Sequence, residues 1–560
     1  MRSAVIAVLT GPQPVDGDGL LRATLTGLGV TVITADGPAA TARAVASASA
    51  AGTVALVDPR LAAHAHALRL ALLDPRWEAA HAPGVLTVSA GARELLAAEL
   101  RAMPDLTAHR VDGSSPAARL TAPKPLLADE FAERLRMRGM SVHETTLPDG
   151  LVARLVEEPL AARKAVYAEI AAVDDEAIRL RRTVKPDDDL FAEYCVSSWT
   201  PRLARWFARH GWSPNLVNTL SLLLALAGAG AAATGTRAGY VCAALAVYFA
   251  FALDRAEGQL ARYSLRFSRT GRWLHMNFDR VKEYAVYAGL ALGAVRGGGH
   301  DRGVWLLAAA AMALQTVRQH IDFAYRESLR GQPATQADAT AEAGSARTRS
   351  WVRRVLILPI GERWAVIALL TALTTPRIVF SVLLVWGLLA AVYTTADRVR
   401  KSLRGNGIQS ARAVGALHAM CDLPLAIKTA AREPLTAKLG WLAPPTIQLV
   451  AYVVVLGLIV DDALLGAASF ALLAAVIYHH YDVVYRIRAN GPAGQPPRWL
   501  SIALGGNLGR SVLVVVLGTA ITSDSALSAV LWLLAAYLGV LAVGESVHAW
   551  TRPGAPVAPE

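Results

Sequence analysis

The sequence predicts a mainly α-helical polytopic membrane protein with a soluble α/β domain at its N-terminus. Three observations lead there. Hydrophobic residues make up 54% of the 560 positions and charged residues only 18%. From residue 216 onward the apolar residues gather into about ten blocks that a soluble core would not require. Before residue 125, by contrast, short apolar runs alternate with Ala/Leu-rich helical stretches.

In the first domain, expected over 1–125, the runs Ala4–Leu9, Val30–Thr34, Thr53–Val57 and Gly84–Val88 predict strands of a parallel sheet. The loop from Thr10 to Gly19 is Gly-rich but matches neither a P-loop nor GxGxxG, so its nucleotide signal is weak and a structural or regulatory domain is the reading. Asp58 reads as a turn residue before Pro59 rather than a strand-end ligand. Residues 126–198, with runs such as Asp174 to Arg182, read as a charged, solvated helical connector. The N-terminus has no signal-peptide pattern, so membrane entry falls to the internal spans. Cys195, Cys242 and Cys421, an odd set without a CxxC pair, exclude a disulfide framework or a cysteine zinc site.

Residues Thr200 to Gly211 predict a helix lying in the membrane interface. Leu203, Trp206 and Phe207 share one face, with Arg202, Arg205 and Arg209 beside it. Six apolar segments follow, near 216–234, 238–253, 284–296, 303–319, 355–374 and 376–394, and form a core unit over 199–400. A C-terminal membrane domain over 401–560 adds four more, near 442–460, 463–481, 501–521 and 526–546. Arg and Lys crowd alternate connections, which by the positive-inside rule places the N-terminal domain and the ends of the core in the cytoplasm of a cell-membrane protein. Residues 327–350 read as a flexible linker. The net charge of +12 belongs to span ends and membrane lipid headgroups, so no nucleic acid partner is expected.

The stretch richest in chemistry begins at Asp254. Asp254 and Glu257 stand three apart on one helix, and His275 and Asp279 four apart on the next, so each pair shares a face. Ionisable residues placed where apolar spans meet water are expensive unless paired, ligated or facing a cavity, which makes them functional candidates. Gly258 and Ala261 clear space beside them. Converging carboxylates suit hard divalent ions, Mg2+ or Mn2+, bound together with a diphosphate. Phosphoryl transfer follows as the reaction class.

This pattern is similar to the signature of the CDP-alcohol phosphatidyltransferases, D-x2-D-G-x2-A-R-x8-G-x3-D-x3-D. Asp254, Gly258, Ala261, Arg262, Gly271 and Asp279 agree with it at unbroken spacing. Ser213 to Ser221 also resembles the segment that opens the family's first span, and the resemblance covers roughly 195–400. It implies a six-helix membrane fold, a homodimer, and a cytoplasm-facing site that joins a CDP-alcohol donor to an acceptor alcohol with release of CMP, in phospholipid or related lipid synthesis. Carried over by position, Asp254, Glu257, His275 and Asp279 would hold Mg2+ or Mn2+, Asp279 would also be the general base, and Asn215, Gly258, Ala261, Arg262 and Gly271 would border the nucleotide.

Glu257 and His275 replace aspartates of the signature. Glu257 keeps its charge on a longer stem. Imidazole at 275 is a poor Mg2+ ligand, acceptable to Mn2+ or Zn2+. The alternative to an active transferase is therefore a catalytically weak or inactive membrane scaffold or regulator on the same fold. A transporter would require inverted repeats or broken helices, which the sequence does not display. In the C-terminal part, His479, Asp482 and Arg486 share a helical face that reads as an interfacial helix end rather than a metal site. Glu362 and Arg363 are expected to pair structurally or border the acceptor site. The chain also resembles, loosely, bacterial fusion proteins with an uncharacterised C-terminal membrane domain.

Overall fold

The computed structural model describes residues 5–10, 19–48, 52–102, 127–156, 160–185, 189–297, 303–330, 357–404, 410–423, 433–458, 463–503 and 505–551. The Gly-rich loop over 11–18 and most of the expected linker, 331–350, lie outside these residues.

All four predicted strands form: β1 (Val5–Leu9), β2 (Thr31–Thr34), β3 (Thr53–Val57) and β6 (Val85–Val88). They join β5 (Ala79–Ala82) and β7 (Val142–Glu144) in one sheet of order β2-β1-β3-β6-β5-β7. The sheet is mixed rather than parallel. β6 runs antiparallel to β3 and β5, because Pro83 and Gly84, with Gly84 at φ +75°, reverse the chain in a tight turn that only parallel crossovers would avoid. β4 (Leu61–Ala63) and β8 (Ala153–Leu155) form a separate pair.

The central strands β1, β3 and β6 are largely apolar on both faces because both are covered. Val8, Leu56 and Leu86 pack under α2 (Gly37–Ser47), α4 (Arg93–Ala102) and α5 (Leu127–Met137). Val5, Leu9 and Val57 pack under α1 (Gly19–Gly27) and α3 (Ala65–Leu72). The domain therefore runs past the expected limit at 125, and α5 and β7 are not connector. Charge hid an amphipathic helix: Ala128, Phe131, Ala132 and Leu135, at i, i+3, i+4 and i+7, are all buried. Asp58 is the expected turn residue, accepting from Arg60 N and Nε at 2.8 and 3.0 Å.

Short helices α6 (Leu160–Ala171), α7 (Asp175–Arg181) and α8 (Thr200–Arg209) lead into the apolar part. Helix α7 is N-capped by Asp174, which accepts from Glu176 N and Ala177 N. It is not a solvated strut, since its Glu176 pairs with Arg205 of α8 at 2.9 Å. On α8, Phe207 is buried against Leu260 while Trp206 stays exposed.

The remaining helices are α9 (Pro214–Ala232), α10 (Arg237–Ser264), α11 (Arg269–Arg296), α12 (Val304–Leu329), α13 (Ile360–Leu373), α14 (Pro376–Arg404), α15 (Ala411–Met420), α16 (Ala443–Leu456), α17 (Ala463–Asn490), α18 (Arg498–Ala503), α19 (Gly506–Ala520) and α20 (Asp524–Thr551). Among the described residues, every predicted apolar segment falls on helix, the one near 501–521 on two, α18 and α19. Among the described residues, six stretches are long and apolar enough to cross a membrane: α9, α10, α14, Leu465–Gly494, Trp499–Ala520 and α20. The protein is thus read as a multi-pass membrane protein. The other four predicted spans miss the standard for physical reasons. At 14 residues each, α13 and α16 reach only about 21 Å of a hydrocarbon core of about 30 Å. Helix α11 carries Asp279, Arg280, Lys282 and Glu283, and α12 is interrupted by Gln315, Arg318 and Gln319.

No packing boundary falls at residue 400. Trp305 and Met312 of α12 belong to the same apolar cluster as Phe470 and Leu473 of α17 and Leu531 of α20. Helices α9 and α11 approach closely. A Cβ at Gly289 or Gly293, four apart on α11, would collide with the carbonyls of Ala229 and Ala232 on α9, the small-residue packing that lets membrane helices touch by their backbones. We expect Gly293→Val to lower the melting temperature of detergent-purified protein, with a loss of about 1–3 kcal/mol. Gly230→Ala, whose Cβ enters open space, should leave it unchanged; equal losses in both would contradict this packing.

Candidate functional site

The carboxyl end of α10 and the first half of α11 both flank α9 and are joined by a tight turn at Leu265 in the left-handed conformation, so that their side chains meet. Ser268 caps α11 by accepting from Gly271 N at 2.9 Å. This geometry brings the motif together. All eight compared positions, Asp254, Glu257, Gly258, Ala261, Arg262, Gly271, His275 and Asp279, line one cavity of about 290 Å³, and Asn215 lines it with them. A Cβ at Gly271 would meet Asn215 Oδ1 and Ser268 Oγ, each at 2.7 Å, so those side chains would have to move to admit one.

The titratable groups form one continuous set. Glu257 Oε2 lies 3.4 Å from His275 Nδ1, and His275 Nε2 lies 3.8 Å from Asp279 Oδ2. Asp279 Oδ1 is 3.1 Å from Lys282 Nζ, which is 2.5 Å from Asp254 Oδ2. Lys282 also donates to Ser221 Oγ of α9 at 3.3 Å, and it is 1% exposed. Asp254 Oδ1 is buried without a hydrogen-bond partner. Lys282 was missed in the sequence reading although its signal was available: it stands three after Asp279, hence on the same face, and a lysine buried in an apolar helix needs a carboxylate.

Six cationic side chains share the wall: Arg76, Lys185, Arg255, Arg262, Arg266 and Arg272. Several are oriented by the fold. Arg262 Nε donates to Thr183 O at 2.6 Å, Arg255 Nη2 to Asp189 Oδ2 at 3.0 Å, and the Arg76 guanidinium lies 4.6 Å over the Phe267 ring. Arg76 belongs to the N-terminal domain and Lys185 to the stretch after α7, so no local sequence pattern could have placed them here.

The N-terminal domain reaches the site through the end of α10. Arg69 Nη2 donates to Tyr263 O at 3.3 Å, and Arg179 Nε and Nη2 donate to it at 2.9 and 2.6 Å. The Arg179 guanidinium also stacks 3.5 Å from the Tyr263 ring. Cations are favoured at a helix C-terminus, where the last carbonyls lack intrahelical partners.

Whether these residues fit a divalent ion is decided by their chemistry. One oxygen each of Asp254 and Asp279 is engaged by the Lys282 ammonium, and the third aspartate of the signature is an imidazole. Among the described residues no group of three or more His, Cys, Asp or Glu is arranged to hold a metal ion. As folded, the set does not fit Mg2+ in the manner that four aspartates would.

The other sequence candidates have structural partners. Glu362 and Arg363 do not pair with each other; Glu362 accepts from Leu190 N at 2.8 Å, and Arg363 meets Glu283 at 3.2 Å. His479, Asp482 and Arg486 are buried rather than at a helix end in the interface. His479 lies 3.4 Å from Asp422, while Asp482 accepts from Ser546 Oγ at 2.6 Å and pairs with Arg486, which also meets Glu545.

Residues 364–560 match a family of unknown function (DUF5941). The match begins inside α13, so it takes in the last two helices of the expected core along with the C-terminal membrane part. No curated protein matches the chain.

His66, on α3, faces the guanidiniums that fasten the domain to α10. Burial, with Arg179, Arg69 and Arg182 nearby, lowers its pKa from 6.5 to about 3. The unfolded chain therefore takes up a proton below about pH 6.5 that the folded protein refuses, so stability falls as pH drops. Melting curves from pH 7.5 to pH 5 should show a loss of order 1 kcal/mol that His66→Gln reduces. An unchanged slope in that variant would contradict the assignment.

Proposed function

We propose that the protein transfers a phosphoalcohol group from a CDP-alcohol to an acceptor alcohol, releasing CMP, at the cytoplasmic face of the membrane in the synthesis of phospholipids or related lipids. One observation carries this reading: every compared position of the signature lines a single cavity with six cationic side chains. Fixed cations around a small polar hollow suit a diphosphate, because preorganised charge needs no reorganisation as negative charge moves to the leaving group. Arg262, Arg266 and Arg272 lie on the stretch that spans the turn between α10 and α11 and would hold the diphosphate there, while Asn215, Gly258 and Gly271 leave room for the nucleotide.

In the reaction, the acceptor hydroxyl oxygen forms a bond to the phosphorus that carries the donor alcohol. The bond from that phosphorus to the bridging oxygen breaks, and its electron pair leaves with CMP. The hydroxyl proton passes to the Asp279 carboxylate, which faces the cavity. No step is assigned to a divalent ion.

A second reading, a binding protein that no longer turns over, is favoured by one specific feature. Lys282 sits on Asp279 and Asp254 at 3.1 and 2.5 Å, and a base held in an ion pair gives up part of its basicity. Reconstituted protein given a CDP-alcohol and a lipid acceptor should release CMP, and Asp279→Asn should reduce the rate by roughly 10²-fold or more. CDP binding without CMP release from any common donor would select the second reading.

A further inference from the structure

Three carboxylates in a cavity meant for a diphosphate pose an electrostatic problem. Like charges a few ångströms apart repel strongly at a partly buried site, where water screens them less than in bulk. Asp254, Glu257 and Asp279 would repel the ligand unless a cation stood among them. A divalent ion is the common answer to that problem, and the donor set here does not fit one.

Lys282 already stands in the place where that charge is needed. It does not line the cavity; it reaches the carboxylates from within the helix packing, 2.5 Å from Asp254 and 3.1 Å from Asp279, steadied by Ser221 Oγ at 3.3 Å. With 1% exposure, its ammonium cannot swing into solvent to make way for an ion. Stripping a buried pair of one partner leaves the other charge uncompensated in apolar surroundings. An ion sharing the same two carboxylates would also face the ammonium at close range.

We infer that Lys282 is a resident cation that offsets part of the charge of Asp254 and Asp279 from inside the protein, so that the cavity takes up a nucleoside diphosphate without an exchangeable metal. This rests on the proposed CDP-alcohol reading of the same cavity. Lys282 is a positioning residue: it acts on the ligand through the two aspartates.

The test uses full-length protein in lipid nanodiscs, with cytidine diphosphate as the probe and calorimetric binding as the readout. Wild-type affinity in EDTA should stay within about twofold of that in Mg2+ or Mn2+. Lys282→Met should lose at least about tenfold in EDTA and regain it when Mn2+ or Mg2+ is added. A role confined to holding the helices together would not create metal dependence. Wild-type binding that appears only with a divalent ion overturns the inference while leaving the CDP reading intact. So does a Lys282→Met protein that binds in EDTA as the wild type does. If Lys282→Met fails to fold, the wild-type comparison in EDTA still decides. No binding of cytidine diphosphate by wild type under any of these conditions removes the CDP reading, and the inference with it.

Discussion

The ion pairs that Lys282 makes with Asp254 and Asp279 hold the site in register. They join α10 to α11 behind the cavity wall, where a buried ammonium and two carboxylates repay one another's desolvation only if the helices stay in place. Slide either helix by one turn and three charges are left in apolar surroundings. The motif spacing is thus as much a packing constraint as a chemical one.

Around that centre, α11 is held from every side. Gly289 and Gly293 let it touch α9 by backbone. Trp273 Nε1 donates to Ser546 Oγ of α20 at 2.8 Å, and Arg280 Nη1 to Tyr481 Oη of α17 at 3.1 Å. The C-terminal helices therefore brace the helix that carries His275 and Asp279. That accounts for the absence of a packing boundary near residue 400, and it gives the stretch matching a family of unknown function a structural task beside the cavity. On the opposite side, Arg69 and Arg179 fasten the α/β domain to the end of α10, and Arg76 enters the cavity wall.

Much of this was legible in the sequence, and the limits have physical reasons. The strands were readable because runs such as Val54–Val57 are apolar throughout. Their directions were not, since nothing local declares that the turn at Pro83–Gly84 closes a hairpin. Helix α5 was hidden by counting charge where the spacing of Phe131, Ala132 and Leu135 carried the information. At the site, fixed spacing placed Asp254 and Asp279 on facing helix sides, and they do share a cavity. Lys282 lies outside the acidic pattern, three residues past its last member, and only its place on the same helix face as Asp279 signals the pairing. Arg76 and Lys185 were out of reach, as they arrive by tertiary packing from more than 60 positions away in the chain. Among the described residues the ten apolar segments fall on helices, yet six stretches are long and apolar enough to span, because the other four segments are short or carry the polar groups that build the site and its bracing.

The most direct measurement is a cryo-electron microscopy map of the protein in nanodiscs with cytidine diphosphate added in EDTA. Density for the diphosphate should lie among Arg262, Arg266 and Arg272, with the base toward Asn215 and Gly271 and with Lys282 still joined to both aspartates. Nucleotide density elsewhere, or Asp254 and Asp279 turned into separate environments with Lys282 bound to neither, would contradict a shared site built on that lysine.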